Sequence, residues 1–174
     1  MELSIVVGNP NPRSRTRTVA EAVAERIAGA TGASVVRTID LCDYAGDLFT
    51  WPHDGLSALG DAVAASDYAV FASPTYKAAY TGLLKAFLDR YPTKGLAGVT
   101  AIPVMTGGSA AHAMAVDTTL RPVLVELGAS LPTQGLFFVM TQMSELDTVV
   151  GEWAEYNLTV RGTIGPMRRE MATR

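Results

Sequence analysis

Two hydrophobic periods take turns along this chain, and their alternation restricts the fold more than any single residue does. Leu3-Ser-Ile-Val-Val7 is a continuous apolar run closed by Gly8, the character of a strand buried on both faces of a sheet. Val19, Ala20, Val23, Ala24 and Ile27 then recur at helical spacing, with Thr18 and Glu21 placed as a capping box and Gly29 and Gly32 as stop signals. Strand patterns return at 33–39, 68–72, 99–105 and 135–140, and helix patterns at 56–66, 83–91, 110–127 and 146–160. Residues 40–54 read as a long loop carrying Tyr44, Phe49 and Trp51. Pro103 predicts a bulge or boundary in the fourth strand, and Pro122 a kink or break in the fourth helix. Five strands alternating with five helices predict one α/β domain over residues 1–174, a parallel sheet with helices on both faces. The tail after about residue 162 reads as loose.

Composition narrows the function classes. A length of 174 residues, 48% of them hydrophobic, suits one domain with a full core. The formal net charge of −3 gives no global basic field for nucleic acid or an anionic membrane. Arg13, Arg15 and Arg17 form one local basic cluster, either a solvated turn or an anion site. Cys42 is the single cysteine, so no disulfide forms within the chain, and with only His53 and His112 a zinc site of the Cys/His type is excluded. No basic-then-apolar leader opens the chain and no apolar run approaches the roughly 20 residues of a membrane span. A cytoplasmic protein is the expectation.

In the doubly wound class with strand order 2-1-3-4-5, the ligand crevice lies at the switch between strands one and three. The loops there are the two most unusual in the chain. Gly8-Asn-Pro-Asn-Pro-Arg-Ser-Arg-Thr16 feeds the first helix, whose unpaired N–H groups and positive pole suit a phosphate. Asn9 and Asn11 add amides, Ser14 and Thr16 hydroxyls, and Arg15 a charge. The loop has neither the Walker pattern nor GxGxxG, so it is no nucleoside triphosphate or ordinary dinucleotide fingerprint. Pro74-Thr-Tyr-Lys77 offers an aromatic ring and backbone donors to a planar heterocycle, although Tyr76 and Tyr80 also suit a plain surface loop. A third loop, Thr106-Gly-Gly-Ser109, lets backbone approach a flat ligand through Gly107 and Gly108, or is only a turn.

Ser73-Pro-Thr-Tyr-Lys-Ala-Ala-Tyr-Thr-Gly-Leu-Leu-Lys-Ala-Phe-Leu-Asp89 closely resembles the NADPH-dependent FMN reductases, and within them the flavin reductases serving two-component alkanesulfonate monooxygenases. The similarity continues through Thr106-Gly-Gly-Ser-Ala-Ala-His-Ala-Met-Ala-Val-Asp117 and Leu120-Arg-Pro-Val-Leu124. With the first loop it covers most of residues 4 to 127. The resemblance implies a flavodoxin-like three-layer sandwich, FMN as the flavin, and hydride from NADPH or NADH. By position it implies that Asn9, Asn11, Ser14, Arg15 and Thr16 hold the phosphate. Pro74, Thr75, Tyr76 and Lys77, with Gly107 and Gly108, would frame the isoalloxazine. The chemistry would belong to the flavin, with no catalytic side chain and no metal, and His112 falls on a family histidine.

Two departures stand out. The family's usual first loop is Gly-Ser-Pro-Arg, where this chain has Gly8-Asn-Pro-Asn11. The alkanesulfonate-system reductases carry an extra Tyr in the fourth helix, associated with a π-bulge at the subunit interface. Thr118 holds that position here, which leaves open both the bulge and whether flavin is a bound cofactor or a released substrate. The resemblance also implies dimers or dimers of dimers, for which Leu83, Leu84, Phe87 and Leu88 offer apolar surface, unless all four are internal core. The rival functions are an FMN-bound reductase of quinones, azo dyes or metal oxyanions, and a flavodoxin-type electron carrier.

Overall fold

The computed structural model describes residues 1–160, so the expected loose tail lies outside the described residues. In chain order the elements are β1 (Glu2–Val7), α1 (Arg15–Thr31), β2 (Ser34–Asp40), α2 (Asp54–Ala64), β3 (Tyr68–Pro74), α3 (Gly82–Leu88), β4 (Thr100–Gly107), α4 (Arg121–Glu126), β5 (Leu136–Val139) and α5 (Leu146–Ala154). The strands form one sheet in the order β2-β1-β3-β4-β5, with every pairing parallel. That is the flavodoxin-type order. Alternate residues feed two cores: Leu3, Ile5, Val7, Tyr68 and Val70 pack under α1 and α5, whereas Val6, Ala69 and Phe71 pack under α2, α3 and α4. Burial on both faces explains the unbroken apolar runs, each large side chain contributing about 1.5–3 kcal/mol relative to exposure.

Several local expectations are corrected. The first helix starts at Arg15 with Ser14 as its cap, ahead of the expected Thr18–Glu21 capping box, and Glu21 instead pairs with Arg17 at 2.8 Å. Gly29 lies inside that helix, and only Gly32 ends it, at φ 72°. Pro103 neither bulges nor bounds β4, and it pairs in register with Phe71. The Ala101 N–H points away from β3, to the Ser130 carbonyl, so two residues on the missing donor of Pro103 faces the same side. There β5 has not yet begun to pair, since its ladder starts at Val104, and no hydrogen bond is lost. On α3, Leu84, Phe87 and Leu88 are buried within the chain and Leu83 packs partly against the same core. The apolar surface expected on that helix is internal.

Residues 110–127 form a composite instead of one helix. A 3-10 turn, Ala110–His112, precedes a π-helical turn at Val116–Leu120, and α4 follows directly. The Arg121 N–H reaches back five residues to the Val116 carbonyl. Pro122 then falls in the first turn of α4, where a helix needs no donor. Thr118 and Thr119 donate their hydroxyls back to the Met114 and Ala115 carbonyls at 2.9 and 2.6 Å, a contact that bends helices. Asp117 Oδ1 accepts from Arg121 Nε at 2.7 Å and from the Gly135 N–H at 3.3 Å. Arg121 also donates to the Leu131 and Thr133 carbonyls at 3.1 and 2.7 Å. The wide turn forms with Thr118 in place of Tyr, and Pro122 and the Asp117–Arg121 pair lie at its end.

Asp117→Ala leaves Arg121 Nε and the Gly135 N–H without an acceptor and is expected to cost about 1–3 kcal/mol. Thr118→Ala removes one exposed back-bond and should stay within about 0.5 kcal/mol. Thermal unfolding of the two variants checks the contrast.

Candidate functional site

The carboxyl edge of the sheet is shaped by how closely the first loop lies on α3. The Gly8 N–H donates to the Ala72 carbonyl at 2.7 Å, and Thr81 Oγ1 donates to the Gly8 carbonyl at 2.6 Å. The same Thr81 oxygen caps α3 by accepting the Leu84 N–H at 3.2 Å, while the Thr81 N–H donates to Ser73 Oγ at 2.9 Å. A Cβ at Gly8 would stand 2.5 Å from the Leu84 Cβ. Only glycine permits this approach.

Beneath the first loop runs a short chain of buried polar groups. Asn9 Nδ2 donates to Thr16 Oγ1 at 3.0 Å, and Thr16 Oγ1 bonds Thr106 Oγ1 at 2.9 Å. Asn9 Oδ1 accepts the Asn11 N–H at 2.9 Å, an Asx-type turn. These bonds tie the start of α1 to β4. Ser14 Oγ accepts the Arg17 N–H at 3.3 Å, and the first turn of α1 holds no acidic residue. No carboxylate of that turn competes for its N–H groups and positive pole, which suits an anion.

The second loop leaves β3 with the Thr75 N–H bonded to the Thr106 carbonyl at 2.7 Å. Tyr76 and Ala79 exchange backbone hydrogen bonds at 2.9 and 3.2 Å, closing a tight turn in which Lys77 and Ala78 have φ of 52° and 64°. Tyr76 is 51% exposed. Thr75 Oγ1 is buried without a hydrogen-bond partner, a group that costs free energy until something pairs with it. On the third loop, a Cβ at Gly107 would lie 2.6 Å from Phe137 Cζ, whereas one at Gly108 would meet nothing within 4 Å.

These three loops border one cleft of about 400 Å³, within the range of small-molecule sites. Every residue expected at the site lines it except Lys77, which sits at the turn beyond Tyr76. Thr106 and Met140 also line it. Thr106 was visible as the polar shoulder of the Gly-Gly motif, while Met140 carried no signal beyond following a strand. His112, in its exposed 3-10 turn, is outside the lining. Cys42 is also outside it. Its thiol is pushed up to about 11 by burial and by the neighbouring Asp40 carboxylate, so it stays protonated and inert at neutral pH.

The donor set fits FMN. A helix start with two hydroxyls and an arginine suits a phosphate, the Gly107–Gly108 border suits a flat ring, and the orphaned Thr75 hydroxyl suits a polar ring edge. Arg15 and Tyr76 are the ionisable residues in the lining, which holds no histidine, carboxylate or cysteine.

Comparison with known proteins agrees. Residues 1–144 match the family described as NADPH-dependent FMN reductase. An FMN reductase (NADPH) from Pseudomonas putida is 38% identical over 135 residues, which span 75% of this chain and 66% of the relative. One from Escherichia coli is 34% identical over 147 residues, spanning 79% of this chain and 72% of the relative. The solved apo structure of an NADH:FMN oxidoreductase, EMOB, superposes with a TM-score of 0.77 at 32% identity, covering 91% of this chain and 90% of that one. The chain belongs to the NADPH-dependent FMN reductase family.

Proposed function

We propose that this chain reduces FMN with NADPH or NADH, holding the flavin across the cleft between β1, β3 and β4. The observation that supports this best is the meeting, in one cleft, of an uncompensated helix start and a glycine-bordered floor. Bound FMN supplies the ring that accepts hydride from the nicotinamide. Ser14 and Arg15, with the first N–H groups of α1 including that of Thr16, hold its phosphate, while the Thr16 hydroxyl is engaged by Asn9 and Thr106. Asn9 and Asn11 act mainly by shaping that loop, since the Asn9 amide is engaged with Thr16 and Asn11. Thr75 Oγ1 pairs with a polar atom of the ring system, and Gly107 and Gly108 give it room. Lys77 acts from outside the lining, if it acts on the ligand at all.

FMN exchanges as a substrate, and its reduced form passes to a second enzyme, a monooxygenase. The π-helical turn at Val116–Leu120 supports this reading, because it retains the feature tied to that behaviour in the family. The chain assembles as a homodimer or homotetramer. Exposed Phe49, Trp51, Met114 and Val125, not α3, are the apolar surface that supports assembly, and light scattering measures its size. Among the described residues no helix is long and apolar enough to cross a membrane.

Purified protein with added FMN is expected to oxidise NADPH or NADH by a sequential mechanism, and to lose flavin on gel filtration. Retained flavin with quinone turnover faster than FMN turnover would favour the quinone-reductase alternative. Thr75→Val should leave the free protein as stable or slightly more stable, because an unpaired buried hydroxyl disappears, yet weaken FMN by about tenfold. Gly108→Val should be neutral for folding, within about 0.5 kcal/mol, and raise the KM for FMN at least about tenfold by filling the cleft. Melting curves and flavin titrations read both. Alkylation of Cys42 should be slow at neutral pH and accelerate only toward about pH 11, as mass spectrometry of iodoacetamide-treated protein reports.

A further inference from the structure

The first loop contains a backbone conformation its sequence does not favour. Arg13 has φ of 48°, the left-handed region that non-glycine residues seldom adopt. No glycine lies between Gly8 and Gly29 to take that role, and Pro10 and Pro12 stiffen the residues around them. Something outside the loop must hold Arg13 there. Asp40, the last residue of β2, does so: its Oδ2 accepts the Arg13 N–H at 3.0 Å. Asp40 is 4% exposed and stands opposite Val7 in the β1–β2 register. Arg17 Nη1 lies 3.7 Å from the same oxygen, and its guanidinium offsets the buried charge that would otherwise repel an anion above it.

We propose that Asp40 is a positioning residue for phosphate recognition: by gripping the Arg13 N–H it fixes the left-handed turn that aims Ser14, Arg15 and Thr16 at the ligand. The consequence follows from chain geometry. Ser14 comes directly after Arg13 and caps α1. If Arg13 relaxes to negative φ, Ser14 leaves the cap and the first N–H groups of α1 lose their common aim. The Arg13 side chain itself is exposed, so the role lies in its backbone. Asp40 is absent from the cleft lining and acts only through the loop. The inference rests on the reading that the phosphate of FMN sits at the start of α1.

Binding of FMN and of riboflavin, which has the same ring without the phosphate, tests it by fluorescence titration of the full chain. The unaltered chain should prefer FMN. Asp40→Ala should weaken FMN roughly tenfold and leave riboflavin unchanged, so that the preference collapses. Asp40→Asn, which keeps an acceptor oxygen, should retain most of it. Adding Arg13→Gly to Asp40→Ala should restore it, because glycine takes a positive φ freely. Should Asp40→Ala fail to fold, Arg13→Val and Arg13→Gly decide the matter. Both remove the guanidinium, but only valine resists the turn, so valine should lose the preference and glycine keep it. Equal losses for FMN and riboflavin, unchanged preference in Asp40→Ala, failure of glycine to restore it, or identical behaviour of Arg13→Val and Arg13→Gly would overturn the clamp. An unaltered chain that binds riboflavin as well as FMN would instead overturn the phosphate placement, and the clamp with it.

Discussion

The close seat of Gly8 on the start of α3 is the contact on which the rest of the site depends. In this strand order the chain leaves β1 and β3 toward opposite ends of the sheet, which opens a crevice between their loops. That crevice becomes a binding cleft only if the two loops are fixed relative to each other. Thr81 does this with one hydroxyl, which donates to the Gly8 carbonyl and accepts the Leu84 N–H. The approach leaves no space for a side chain at residue 8. Loop position, helix capping and the absence of a Cβ are therefore one constraint.

A second layer of buried polar bonds turns that geometry into specificity. Asn9, Thr16 and Thr106 link the first loop to β4, so the α1 end and the Gly107–Gly108 end of the cleft are tied by one network. Against this background the unpaired Thr75 hydroxyl stands out, since its neighbours have spent their hydrogen-bonding capacity on each other. The cavity of about 150 Å³ beside Trp51 differs in kind. It is bordered by Phe87, Tyr91 and Asp61, and Arg90 there is committed to the Leu48 and Thr50 carbonyls and to the Trp51 ring at 4.1 Å. It offers a phosphate no helix start, and its carboxylate would repel one.

Much of this was legible in the sequence because the signals were local or periodic. The buried strands announced themselves as unbroken apolar runs, and the three ligand loops carried residues with no reason to cluster in an ordinary turn. What escaped depended on partners distant in sequence. The start of α1 moved to Arg15 because the Arg13 turn, stabilised from β2, makes Ser14 the cap. Pro103 sits quietly in β4 because β5 is short on that side, which composition does not encode. The π-helical turn forms without a tyrosine at residue 118, beside Pro122 and the Asp117–Arg121–Thr133 contacts, which join residues distant in sequence. The apolar face of α3 looked surplus only because the depth of the core beneath it was unknown.

A crystal structure of the chain with FMN would show whether this cleft is the flavin site. The phosphate is expected against the first turn of α1, within hydrogen-bond reach of Ser14 and Thr16, and the ring between Tyr76 and the Gly107–Gly108 turn with Thr75 Oγ1 paired. Flavin found in the Trp51 cavity, or in the cleft with its phosphate turned away from α1, would contradict it.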